Sequence, residues 1–164
     1  MRLSAAFPAL IFLCLTGLPA WAQQVAFGGL RSDTSAPVEV TADSLAVNQA
    51  SGLATFRGNV LIIQGPMRLS AAEVVVEYGN AERSQIARLQ ASGGVTLVSP
   101  DEAAEAREAV YDVQAGTVVL TGDVLLTQGE NVLSGQRLTV NLASGAGQMD
   151  GRVRTILAPG GTQP

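Results

Sequence analysis

Two acids stand where a side chain could hold a metal ion or share a proton. Asp43 lies in Ala42-Asp43-Ser44-Leu45-Ala46-Val47 and Glu73 in Ala72-Glu73-Val74-Val75-Val76-Glu77. A carboxylate recurring in a repeated pattern is what a divalent-cation site or a paired-carboxylate hydrolase would use. The surroundings support neither chemistry. The chain has no His, and its single Cys is Cys14. The common general base, the thiolate nucleophile and the usual zinc ligands are therefore missing from everything after residue 14. All 10 basic residues are Arg, which excludes a P-loop lysine and a Schiff base. The matching places in two further copies of the pattern hold Arg107 and Gln136, so no acidic ring forms. Aromatic residues make up 4% of the chain, too little stacking surface for a sugar subsite. These absences predict a protein that is not an enzyme and uses no cofactor or metal, with Asp43 and Glu73 at solvated strand edges.

The pattern carrying those acids organises the chain. Its first element recurs as Ala106-Arg107-Glu108-Ala109-Val110-Tyr111 and Gly135-Gln136-Arg137-Leu138-Thr139-Val140. A second element interleaves with it: Gly58-Asn59-Val60, Gly93-Gly94-Val95, Gly122-Asp123-Val124 and Gly151-Arg152-Val153. The small residue opening the first element lies 16, 21, 16 and 16 residues before the glycine of the second. The odd spacing places a five-residue insertion between Tyr78 and Gln90. Ordered self-similarity of this kind marks a stack of like units. Ala54, Phe56, Val60 and Ile62 share one parity, as do Val118, Leu120, Val124 and Leu126, and Leu138, Val140 and Leu142. That period of two is the signature of strands. Each unit is expected to hold three or four short strands, with the glycines at bends where the sheet curves. Asp101–Ala109 is rich in Ala and Glu and has helical propensity; its place in the repeat favours a loop leading into a strand.

The first 22 residues have the parts of a cleavable secretory signal. Arg2 gives a positive start, an apolar run extends from Ala9 to Leu18, and Ala20-Trp21-Ala22 offers small residues for cleavage. The run is shorter than the roughly 20 residues a membrane span takes. Bulky Ile11 and Leu13 before Cys14 argue against a lipoprotein. The division expected is a signal peptide at 1–22, a flexible arm at 23–36, a folded domain at 37–158 and an unstructured tail at 159–164. Export to the periplasm follows from the leader. A net charge of −4 without a basic cluster excludes nucleic acid as a natural partner.

Val60-Leu61-Ile62-Ile63 and Val118-Val119-Leu120 are apolar on both parities, so both of their faces want shelter. Stacked units bury a continuous interior. Packed solid, that interior makes a structural solenoid that joins other proteins; opened along one edge, it makes an apolar groove for acyl chains. Each buried methylene gains about 0.8 kcal/mol, so a multi-chain lipid needs such shelter to cross water. An open stack also leaves unpaired strands at its two ends, which invite strand addition.

Three stretches carry a resemblance: Val40-Thr41-Ala42-Asp43-Ser44-Leu45, then Ala54-Thr55-Phe56-Arg57-Gly58-Asn59-Val60 followed by Gln64-Gly65, then Val119-Leu120-Thr121-Gly122-Asp123-Val124 followed by Gln128. In their order and spacing, from about Pro37 to Pro159, the chain resembles the OstA-like (LptA-type) family of periplasmic lipopolysaccharide-transport bridge proteins. The resemblance implies an all-β, twisted, partly open β-jellyroll whose apolar interior shelters lipid A acyl chains. It implies head-to-tail assembly, with LptC at the N-terminal edge and the N-terminal domain of LptD at the C-terminal edge. Carried onto this chain, the N-terminal joint is Val38–Val47, with Val38, Val40, Leu45 and Val47. The C-terminal joint is Val153–Leu157, with Val153, Thr155 and Leu157. The lipid-binding interior comprises Phe56, Val60, Ile62, Val95, Leu97, Leu120, Val124, Leu126, Leu138 and Val140. The Ala-Trp-Ala site departs from a membrane-anchored sibling, and the chain is too short to add an outer-membrane barrel. A periplasmic β-solenoid interaction module without lipid stays open as the alternative.

Overall fold

Runs of Val, Ile, Leu and Thr alternating with polar residues favour extended backbone, because branched side chains pack well on a pleated surface. The computed structural model describes residues 30–79 and 85–157. Its ten strands are β1 (Glu39–Thr41), β2 (Ser44–Asn48), β3 (Leu53–Gln64), β4 (Met67–Tyr78), β5 (Ile86–Val98), β6 (Glu102–Asp112), β7 (Thr117–Gln128), β8 (Asn131–Asn141), β9 (Ala146–Asp150) and β10 (Arg154–Ile156). All pair antiparallel in one sheet, in the order β1-β3-β4-β5-β6-β7-β8-β10, with β2 also on β3 and β9 also on β8. The sheet does not close on itself. The fold is the all-β, partly open jellyroll expected.

The six central strands are not the short strands expected; they are 11 to 13 residues long and bend midway. Each ladder between them shifts register at the bend, as between Arg57 and Val60 or between Thr121 and Val124, and β4–β5 shifts once more between Glu77 and Tyr78. At each bend the glycine-bearing strand carries one residue more than its neighbour, which is a β-bulge. The bulges hold Gly58-Asn59, Gly93-Gly94 and Gly122-Asp123, and the β9–β10 corner repeats the geometry in Gly151-Arg152; all eight residues have positive φ. Asn, Asp and Gly tolerate that region best, so three of these four pairs announce the bend in their residue types. The bends divide the sheet into two halves. Half A holds β2, β9 and the stretches of β3–β8 paired with them; half B holds β1, β10 and the remaining stretches.

The halves fold over one hydrophobic cluster that runs from Ala54 and Val60 in β3 to Leu138 and Val140 in β8. Two local expectations change. Asp101–Ala109 is neither helix nor loop: from Glu102 it is strand, because pairing on both sides, Glu105 with Thr96 and with Leu125, overrides the helical preference of Ala and Glu. The 23–36 arm is described only from Leu30, and residues 30–36 are pinned to the sheet. Leu30 is buried in the core, and the Ser32 amide donates to the Leu142 carbonyl at 3.0 Å. The leader, the centre of the 78–90 insertion and the tail lie outside the described residues.

Candidate lipid slot and joining edges

The interior begins at the bends. Each long strand contributes inward residues on both sides of its bend to the one buried cluster. Nine of the ten interior positions expected are buried: Val60, Ile62, Val95, Leu97, Leu120, Val124, Leu126, Leu138 and Val140. Phe56 is partly buried and packs against the same cluster. Sequence parity missed as much again. Met67, Leu69, Val74 and Val76 of β4, Leu89 of β5, Ala104, Ala109 and Tyr111 of β6 and Leu133 of β8 also face inward. The reason is geometric. Along β3, β5 and β7 the bulge keeps inward residues on one parity through the bend. Along β4, β6 and β8 two successive residues face outward at the bend (Ala72 and Glu73, Arg107 and Glu108, Gln136 and Arg137), so the parity flips. A single alternation cannot be followed across such a strand.

The bends also place the two acids. A Cβ added at Gly93 would lie 2.6 Å from the Ala72 Cβ, and one at Gly122 would lie 2.9 Å from the Arg107 Cβ. Gly58 approaches Asp43 in the same way, so Ala72 is the structural counterpart of Asp43, and Glu73 stands one residue further on. Asp43 accepts a hydrogen bond from Asn59 Nδ2 at 2.8 Å, and Arg107 pairs with Asp123 in the equivalent position. Glu73 instead meets Arg57 Nε at 2.5 Å on the outer face. These contacts tie neighbouring bends together at exposed positions, where each is worth at most about 1 kcal/mol. Among the described residues, no three metal-ligating side chains come together.

At the far ends of the halves, opposite the bends, the lining turns polar. Gln64, at the end of β3 in half B, is buried and accepts the Tyr111 hydroxyl from half A at 2.5 Å. Its amide nitrogen donates to the carbonyls of Thr34 and Ala36, at 3.2 and 3.0 Å. Burial holds the Tyr111 phenol above the ordinary tyrosine range, so it remains a neutral donor. Gln128, which repeats Gln64 in the sequence, donates to Glu102 Oε1 at 2.5 Å within half B.

The sheet's two ends are apolar. Leu45 and Val47 of β2 are 55% and 62% exposed, although their pairing with Phe56 and Ala54 puts them on the interior face. Val38 and Val40 sit against the core and are partly buried. At the opposite end Val153, Ile156 and Leu157 are exposed, as is Thr155, which pairs with Leu133 and so shares the interior face. The ends differ in charge: Glu39 and Asp43 lie at the first, and Arg152 and Arg154 at the second beside Asp150, which leaves the second end net positive.

A family model described as LptA/(LptD N-terminal domain) LPS transport protein matches residues 39–146. The chain belongs to that family. The chain is similar to an uncharacterized protein of Rhizobium meliloti (strain 1021), 32% identical over 80% of this chain and 76% of its own length. The lipopolysaccharide export system protein LptA of Escherichia coli (strain K12) is 26% identical over 77% of this chain and 74% of its own. Among solved structures, LptH of Pseudomonas aeruginosa superposes with a TM-score of 0.69, at 20% identity, over 78% of this chain and 99% of that one. That structure is described as the LptA homologous periplasmic component of the lipopolysaccharide transport device. The likeness to LptH establishes the shared LptA-type fold.

Proposed function

We propose that the protein is a periplasmic lipopolysaccharide carrier that shelters lipid A acyl chains between its two half-sheets and joins like folds end to end. The observation that carries this reading is the apolar lining itself, unbroken across all six long strands, in a chain of a lipopolysaccharide-transport family. Such a lining supplies what acyl chains lose on leaving a membrane, about 25 cal/mol for each Å² of apolar surface removed from water. Phe56, Val60, Ile62, Val95, Leu97, Leu120, Val124, Leu126, Leu138 and Val140 are the lipid-facing residues on this reading, and no step in it needs a catalytic group. The export leader at 1–22 would deliver the chain to the periplasm.

The exposed end strands support head-to-tail joining. An N-terminal edge with Leu45, Val47 and two acids meets a C-terminal edge with Val153, Leu157 and two arginines set against the single acid Asp150; such a contact is heterologous and propagates. The family resemblance assigns LptC to the N-terminal edge and the N-terminal domain of LptD to the C-terminal edge. One observation favours the second reading, a protein-joining module with a solid core: Val74, Leu97, Leu120, Leu126 and Leu138 are wholly buried. Lipid analysis separates the two. The chain expressed in a lipopolysaccharide-producing host and purified without detergent should release lipid A on extraction, read by mass spectrometry. Lipid-free folded protein that still forms end-to-end chains would contradict the carrier reading and leave the module.

A further inference from the structure

The core side chains among the described residues are buried, so cargo must enter where the halves can part. At the bends they cannot, because six strands pass through as continuous backbone. Opposite the bends the halves meet through non-covalent contacts, and residues 30–36 lie across them. Ser32 Oγ donates to the Gln64 carbonyl in half B at 2.9 Å, while the Ser32 amide donates to Leu142 beyond the end of β8 in half A. The segment thus spans from the first long strand to the last. It is a preformed unit: Asp33 Oδ1 accepts the Ser35 amide at 2.9 Å, and the Ala36 amide donates to the Asp33 carbonyl at 3.1 Å. Leu30 at its head completes the core.

We propose that Leu30–Ala36 is a releasable strap over the mouth of the slot, latched by Gln64 and Tyr111, and that the space filled by Leu30 receives the end of an entering acyl chain. The inference rests on the carrier reading above and adds a gate to it. Gln64 is the telling residue. A permanently closed core would be served by an aliphatic side chain there, since a buried amide must be fully hydrogen-bonded to be tolerated. Here two of its three side-chain partners are strap carbonyls and the third is the Tyr111 hydroxyl across the mouth. When the strap lifts, water takes over these partnerships at little net cost, because protein–protein and protein–water hydrogen bonds are nearly equivalent. Leu30 and the core side chains it covers lose shelter, and an acyl chain taking its place restores the apolar contact on the core side. Gln128 has its Glu102 partner on the adjacent strand of the same half, so the cross-mouth arrangement belongs to the Gln64 copy of the repeat.

A reversible tether tests the strap. A Cβ at Gly65 would stand 3.7 Å from Ser32 Oγ, which suits a disulfide in the variant Ser32→Cys/Gly65→Cys. Cys14 is the only native cysteine and lies in the leader. Any strain from a side chain at Gly65, where φ is +56°, falls on both redox forms alike. Binding of fluorescent purified lipopolysaccharide is followed by anisotropy, with the chain expressed from its full sequence. The oxidised variant should take up lipid at least tenfold more slowly than the same protein reduced, and the reduced form, which lacks the Ser32 hydroxyl contact to Gln64, should be no slower than wild type. Tyr111→Phe, which keeps the ring and removes the latch hydroxyl, should speed uptake several-fold. Equal rates in oxidised and reduced protein, or an unchanged rate in Tyr111→Phe, would overturn the gate while leaving the carrier intact. Absence of binding in wild type and every variant would overturn the carrier reading and the gate with it.

Discussion

Gly93 and Gly94 sit side by side with φ of +82° and +87°, yet their surroundings differ. A Cβ at Gly94 meets nothing within 4 Å, whereas one at Gly93 would press on Ala72. Alanine at Gly94 therefore carries only the left-handed backbone penalty, about 1–2 kcal/mol. Alanine at Gly93 carries that and the overpacking of a close approach, a further 1–3 kcal/mol or so. Urea unfolding of the two variants should show Gly93→Ala losing clearly more stability than Gly94→Ala. Equal losses would mean that the bend does not bring the β4 and β5 backbones as close as described. The repeated glycines were legible at this scale as bends, because Gly-Asn, Gly-Gly and Gly-Asp suit positive φ. Arg152 was not: a long side chain in that region gives no such signal, and only its place in the repeat marks it. Glu73 was misplaced by one residue for a related reason. The β4–β5 connection is longer than the others, so a one-residue slip in matching the Ala-acid pattern is absorbed into the apparent length of the insertion.

Strands show how far alternation can be read. On β3 and β7 the bulge preserves parity, and the residues assigned inward from alternation there, Val60, Ile62, Leu120, Val124 and Leu126, are buried. On β4 and β6 the parity flips at Ala72 and Arg107, and the inward residues of both strands escaped notice. Tyr111 and Gln64 escaped for a different reason: their role is a contact between strand ends 47 positions apart in the chain, which no local period records. The end strands were marked by the resemblance and by their place in the chain: Leu45 and Val47 fall in the first copy of the repeat and Val153 in the last, with Leu157 just beyond it. Their exposure, with opposite charges on the two edges, makes association the expected behaviour of β2 and β10. Arg154→Glu should weaken end-to-end association about tenfold in sedimentation experiments and leave the melting curve nearly unmoved. Added salt should weaken the wild type in the same direction. Association indifferent to both would place the contact elsewhere on the molecule.

For the whole molecule, the proposed function has one design serve two demands. Bending six long strands at a common line gives two half-sheets that shelter a shared apolar interior, and leaving the sheet unclosed gives two edges able to continue it. A closed barrel would shelter cargo without joining; a flat sheet would join without sheltering. The polar contacts at the mouth, Gln64 with Tyr111 and the 30–36 segment, are where such a molecule can open without breaking a ladder. The central claim is that the interior, and not the outer face, meets lipid. Photocrosslinking in cells tests it most directly, with the reactive side chain placed in turn at buried Val60, buried Leu126 and exposed Arg57. Lipopolysaccharide adducts at Val60 and Leu126, with none at Arg57, are the result expected. Folded, exported protein that forms no adduct at either interior position would contradict the account.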